Sequence, residues 1–163
     1  MSTQETTDDG RIEPVTEQQV LDKLLPLIEE VTAVSPERVT MQSGLMEDLG
    51  AESLDLLDLS FLIEEKFGVA LEPDEFERRV SARLPGGVYQ RDGYLTDEAL
   101  EELRRAMPEV PPEKFTPPLA RVAVPGLLNV AVFVHLIQRK LAEAQAAEDT
   151  SVAEGSNRRV AGG

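Results

Sequence analysis

No cysteine occurs among the 163 residues, and there is one histidine. Disulfides, thiolate metal sites and a cysteine nucleophile are therefore excluded. Basic residues are scarce: 16 Lys and Arg stand against 31 Asp and Glu, for a net charge of −15. A nucleic-acid binder needs a basic footprint, and none is available. No apolar run approaches the ~20 residues of a membrane span, and residues 1–10 are too polar for a signal peptide. A soluble, cytoplasmic, monomeric protein without a bound metal is expected. An enzyme is not, because no nucleophile, base and cofactor loop come together.

What acid there is sits on one side of the chain. The first 76 residues hold 4 basic and 19 acidic side chains and so carry the entire −15, whereas the remainder holds 12 of each. General solubility does not require such asymmetry.

The pattern is all-α: a small bundle of up to four helices. Residues 1–14 and 144–163 read as flexible tails. Thr16 and Gln19 form a capping box, Val15 and Val20 a hydrophobic staple, and Val20, Leu24, Ile28 and Val31 recur at helical spacing. Pro26 should kink this first helix. A punctuated loop leads to a second helix from Ser53 to Phe67, ended by Gly68. Residues 77–123 are turn-rich and hold one short helix from Asp97 to Ala106, capped by Thr96. A last helix runs from Val130 to Leu141 with Asn129 as its cap. No strand pair shows convincing alternation.

The second helix carries the chemistry. At 100° per residue, Leu56, Leu59, Ile63 and Phe67 form one apolar stripe, while Leu54, Leu57 and Phe61 form another on the opposite side. Asp55, Asp58, Glu64 and Glu65 border the second stripe. Either the helix is buried on both sides, or it presents an apolar ridge edged with carboxylates to a basic partner. Carboxylates are rarely buried unpaired, which favours the ridge. Ser53 opens the helix. By local chemistry it is a cap, yet a hydroxyl beside helix N-terminal amides also suits a phosphate.

Residues 47–55 (EDLGAESLD) followed by 56–67 (LLDLSFLIEEKF) closely resemble the phosphopantetheine attachment segment of acyl carrier proteins. Residues 34–45 are similar to that family's loop between its first two helices, and 124–141 to its closing segment and last helix. The resemblance implies a carrier bundle built from 15–76 and 124–143, with 77–123 as an insertion. It also implies that Ser53 bears a 4′-phosphopantetheine arm, supplied from coenzyme A by a phosphopantetheinyl transferase. The arm's thiol would hold acyl groups as thioesters for a fatty acid, lipid or polyketide pathway. Glu52, Leu54, Asp55, Leu57, Asp58, Phe61, Glu64 and Glu65 would form the recognition surface for acyl-loading and acyl-processing enzymes with basic docking patches. Leu56, Leu59 and Ile63 would line the acyl cavity. The family's usual aspartate before the serine is Glu52 here. A peptidyl carrier is the nearest alternative; another is a helical interaction module that uses its acidic ridge without a prosthetic group.

Two further motifs carry less. Asp92-Gly93 resembles the middle of a calcium loop, but Val88, Gln90 and Ala99 would occupy its first, third and twelfth positions, without the oxygen ligands that calcium needs. His135, inside an apolar helix, reads as a surface or core-edge side chain rather than a base.

Overall fold

The computed structural model describes residues 15–72 and 74–162, with side chains through residue 147. The tail expected over 1–14 lies outside these residues. Five α-helices order the chain: α1 Glu17–Thr32, α2 Ser53–Phe67, α3 Glu75–Arg83, α4 Asp97–Ala106 and α5 Val130–Gly162. A two-stranded antiparallel hairpin, β1 Gln90–Arg91 and β2 Tyr94–Leu95, lies between α3 and α4. The architecture is helical, as the periodicity implied.

The cap chemistry starts α1 where the sequence places it. The Gln19 amide N–H donates to the Thr16 hydroxyl at 3.1 Å, and the Thr16 N–H donates to Gln19 Oε1 at 2.8 Å. Pro26 sits inside the helix at an exposed position, and Val20, Leu24 and Ile28 are buried beneath it. Thr96 caps α4 by accepting from the Ala99 N–H at 3.1 Å, and Asn129 caps α5 by accepting from the Val132 N–H at 3.0 Å.

Three elements differ from expectation. Helix α3 begins just before the boundary set at residue 77. Its large apolar residues are only Phe76 and Val80, one turn apart, too thin a stripe for periodicity to register. The hairpin turns on Asp92 and Gly93, with φ of 53° and 86°, so both central residues are left-handed, as a tight two-residue hairpin turn requires. Helix α5 continues past Leu141, because the residues beyond it (AEAQAAED) are strong helix formers although they are no longer apolar.

Two apolar cores form. The first joins α1, α2 and α5 through Leu24, Ile28, Leu59, Ile63, Val134 and Ile137. The second gathers Val80, Tyr89, Leu100, Leu103, Met107 and Phe115 against Val132 of α5. Helix α5 therefore belongs to both.

His135 ties these parts together. Its Nδ1 lies 2.6 Å from Glu109, just after α4, and its Nε2 lies 2.5 Å from Glu17 in α1. Partial burial works to lower the imidazole pKa, but the hydrogen bonds and charges of Glu109 and Glu17 outweigh it, and the net shift is upward from 6.5. A group whose folded pKa is raised stabilises fully below its unfolded pKa and loses that contribution as pH rises through the folded value. The melting temperature is thus expected to fall as pH rises from 6.5 through the raised pKa. His135→Ala should flatten that limb, and an unchanged slope in the variant would remove the clamp from the explanation.

Candidate functional site

The loop before α2 is held from several sides. Leu45, Leu49 and Ala51 are buried. The Leu45 N–H donates to the Leu128 carbonyl at 3.1 Å, the Val130 N–H to Ser43 at 3.0 Å, and the Ala131 N–H to Met41 at 2.9 Å. The Asp48 carboxylate accepts from the Gly44 N–H at 2.7 Å. Gly50, with φ of 76°, takes the left-handed turn that delivers the chain to the helix start. The segment leading into α2 is thereby fastened to the start of α5.

Ser53 is the first residue of α2, not its cap. Glu52 occupies the N-cap position, and its backbone N–H donates to the Asp55 carboxylate at 2.9 Å. Ser53 is exposed, and no hydrogen bond among the described residues engages its hydroxyl. The local expectation of a capping serine is thus overturned one residue upstream, leaving the hydroxyl without a structural task.

The second stripe resolves into a ridge. Leu54 is 71% exposed and Phe61 57%, whereas Leu57 between them is half-buried. Glu52, Asp58 and Glu65 are exposed and belong to no ion pair among the described residues. Glu64 is turned away, accepting from the Leu71 N–H at 3.2 Å. Glu30 of α1 joins Asp55 and Asp58 around a shallow groove of about 330 Å³ beside Phe61.

Behind Ser53 lies a cavity of about 430 Å³, within the usual ~300–1,000 Å³ range of small-molecule sites. Of the three residues expected to line it, only Leu56 does. Leu59 and Ile63 are fully buried in the first core and do not reach its wall. Leu54 and Leu57, both expected on the recognition surface, also line the cavity. Leu71, Phe76, Pro125, Leu128, Phe133 and Leu136 complete the apolar wall, and Ser53 stands at its edge. These residues come from the segment after α2, from α3, from the 3-10 turn over Arg121–Leu127 and its end, and from the start of α5, so no count along α2 alone could have found them. Glu75, also in the wall, is buried and held by Arg79 at 2.9 Å and Lys140 at 2.8 Å.

Residues 22–82 match the family described as "Phosphopantetheine attachment site". The acyl carrier protein of Campylobacter fetus subsp. fetus is 40% identical over 62 residues, 38% of this chain and 80% of that protein. The acyl carrier protein of Campylobacter curvus is 42% identical over the same shares. The chain belongs to the acyl carrier protein family. Its prosthetic group is 4′-phosphopantetheine. The meromycolate extension acyl carrier protein of Mycobacterium tuberculosis (strain ATCC 25618 / H37Rv) is 34% identical over 62 residues, 53% of that protein. No solved structure matches this carrier. The family match ends at residue 82 and so takes in nearly all of α3, while α4, the hairpin and α5 fall outside it. Among the described residues, no helix is long and apolar enough to cross a membrane.

Proposed function

We propose that this carrier holds acyl groups on a 4′-phosphopantetheine attached through the Ser53 hydroxyl, and presents them to enzymes of a fatty acid, lipid or polyketide pathway without catalysing a reaction itself. The observation that carries this reading is an exposed, unengaged hydroxyl at the edge of an apolar cavity. The residues fit the group. Attachment as a phosphodiester needs an accessible hydroxyl, and the first-turn amides of α2 place partial positive charge beside it. When bound, the group supplies a thiol for thioester chemistry, which a cysteine-free chain lacks. Leu56, Leu57, Phe133 and Leu136 offer apolar shelter next to that attachment point.

The ridge of Leu54 and Phe61 supplies apolar contact, and Glu52, Asp58 and Glu65 supply attraction for the basic surface of a phosphopantetheinyl transferase or an acyl-processing enzyme. Electrostatic steering of this kind changes on-rates by about 10-fold or more at low salt. Asp58→Lys with Glu65→Lys is expected to lower kcat/KM for transferase loading by roughly 10-fold at low salt, with the gap closing as salt is added. A salt-independent loss would point to damaged folding instead. The reading as a whole is tested by incubating the protein with a transferase and coenzyme A and measuring intact mass. One phosphopantetheine should be gained, on the peptide containing Ser53.

We further infer that residues 84–123, which follow α3, are the inserted part of this carrier. Several of their charges are paired locally or across to the carrier bundle, as in Lys114 to Glu47 at 2.5 Å and Arg121 Nη2 to Glu77 at 2.7 Å.

A further inference from the structure

A second groove, of about 320 Å³, lies on the far side of the cavity wall. It shares Phe76, Pro125 and Leu128 with the cavity behind Ser53, and the rest of its lining is Tyr89, Val122 and Val124 with the charged Asp74, Glu77 and Arg121. The two spaces thus adjoin across three side chains, with Ser53 at the edge of the first. None of those three is locked in a core. Phe76 and Leu128 are partly buried and pack against both apolar clusters, and Pro125 is half-buried in a short 3-10 turn. The floor of the second groove is braced by the Arg121–Glu77 ion pair, which fastens the turn over Arg121–Leu127 to α3. Val122, 86% exposed, leaves apolar surface at its outer end with nothing covering it among the described residues.

We propose that this groove receives the distal end of a long acyl chain, so that the inserted residues Tyr89, Val122 and Val124 set the upper chain length the carrier can shelter. The inference rests on attachment at Ser53. Continuity identifies the occupant: an apolar chain filling the first cavity lies against Phe76, Pro125 and Leu128, the same side chains that line the second groove. A methylene takes about the volume of a water molecule, ~30 Å³, so the first cavity fills at roughly fourteen carbons. Shorter chains stay within it, and longer ones must pass Phe76 or project into water, where exposed methylenes are disfavoured.

The test loads the full chain with butyryl-, octanoyl- or palmitoyl-phosphopantetheine from the corresponding acyl-coenzyme A, using a permissive transferase, and follows valine and leucine methyl resonances. All three chains should move Leu136. Only palmitoyl should also move Val122 and Val124, and Val124→Trp should confine palmitoyl to the butyryl pattern. The unsubstituted protein decides the question without the variant. Palmitoyl loading that leaves Val122 and Val124 at their butyryl positions overturns the extended groove. A chain that gains no mass at all overturns attachment itself, and that is a different result.

Discussion

Ser53→Ala is expected to abolish the gain of phosphopantetheine completely while leaving the fold almost untouched. The two halves of that expectation have one cause. Because Glu52 occupies the N-cap and Asp55 satisfies its N–H, the Ser53 hydroxyl contributes nothing to starting α2. Replacing an exposed side chain of this kind changes stability by no more than about 0.5 kcal/mol. A capping serine would have cost ~1 kcal/mol on the same substitution. The control is Ser60, about two turns further along α2 and also in the cavity wall. Its hydroxyl donates to the Leu56 carbonyl at 3.1 Å, and the side chain is half-buried. Ser60→Ala should therefore accept the group at the normal rate. Intact mass, peptide mapping and a thermal melt read all of this. A mass gain that survives Ser53→Ala would sink the assignment, and a large fall in melting temperature would mean that the hydroxyl has a structural role after all.

The parts of this carrier that were legible in its sequence are those where one local rule decides the outcome. The Thr16–Gln19 box, the Thr96 and Asn129 caps and the two stripes of α2 each depend on residues within a turn or two of one another. Which stripe faced solvent was a tertiary question, and it was answered by the exposure of Leu54 and Phe61. Angles around α2 placed Leu56, Leu59 and Ile63 on one face correctly but could not say how deep each lay. Leu59 and Ile63 end in the core beneath α1, and only Leu56 reaches the cavity. Helix α3 was hidden because its stability comes from packing Val80 into the second core rather than from periodicity. The Asp92-Gly93 hairpin was available as a tight-turn dipeptide, yet its strands are two residues each, too short for alternation to appear.

The charge asymmetry has a structural counterpart. In α3 and beyond, Arg78, Arg79, Arg83, Arg105 and Arg121 are each paired with a carboxylate. Along α2, the exposed Asp58 and Glu65 are not. Those arginines draw on acids of both halves of the chain, whereas Asp58 and Glu65 on α2 have no cation paired with them among the described residues.

Phe115→Ala is the substitution expected to cost the most stability, and its consequences should reach beyond the second core. Phe115 is fully buried there, and removing a buried phenyl ring costs about 3–5 kcal/mol, a large share of a typical 5–15 kcal/mol. If the inserted part were an independent unit, that loss would melt it alone. The contacts say otherwise. Val132 is buried in the second core, while its neighbours on α5, Val130, Phe133 and Val134, are buried in the first, and Phe76 and Leu128 pack against both. Leu128 also accepts the Leu45 N–H from the loop that leads to Ser53. Loosening the second core must therefore loosen α5 and the entry to α2 together. Two probes separate the cases: fluorescence of the two tyrosines, Tyr89 in the second core and Tyr94 in the hairpin, and far-ultraviolet circular dichroism of all the helices. In denaturant titrations both midpoints should fall together in Phe115→Ala, by an amount equivalent to about 3–5 kcal/mol. A fall in the tyrosine transition alone would make the inserted part a separately melting appendage. Coincident transitions would make it a wall of the same carrier.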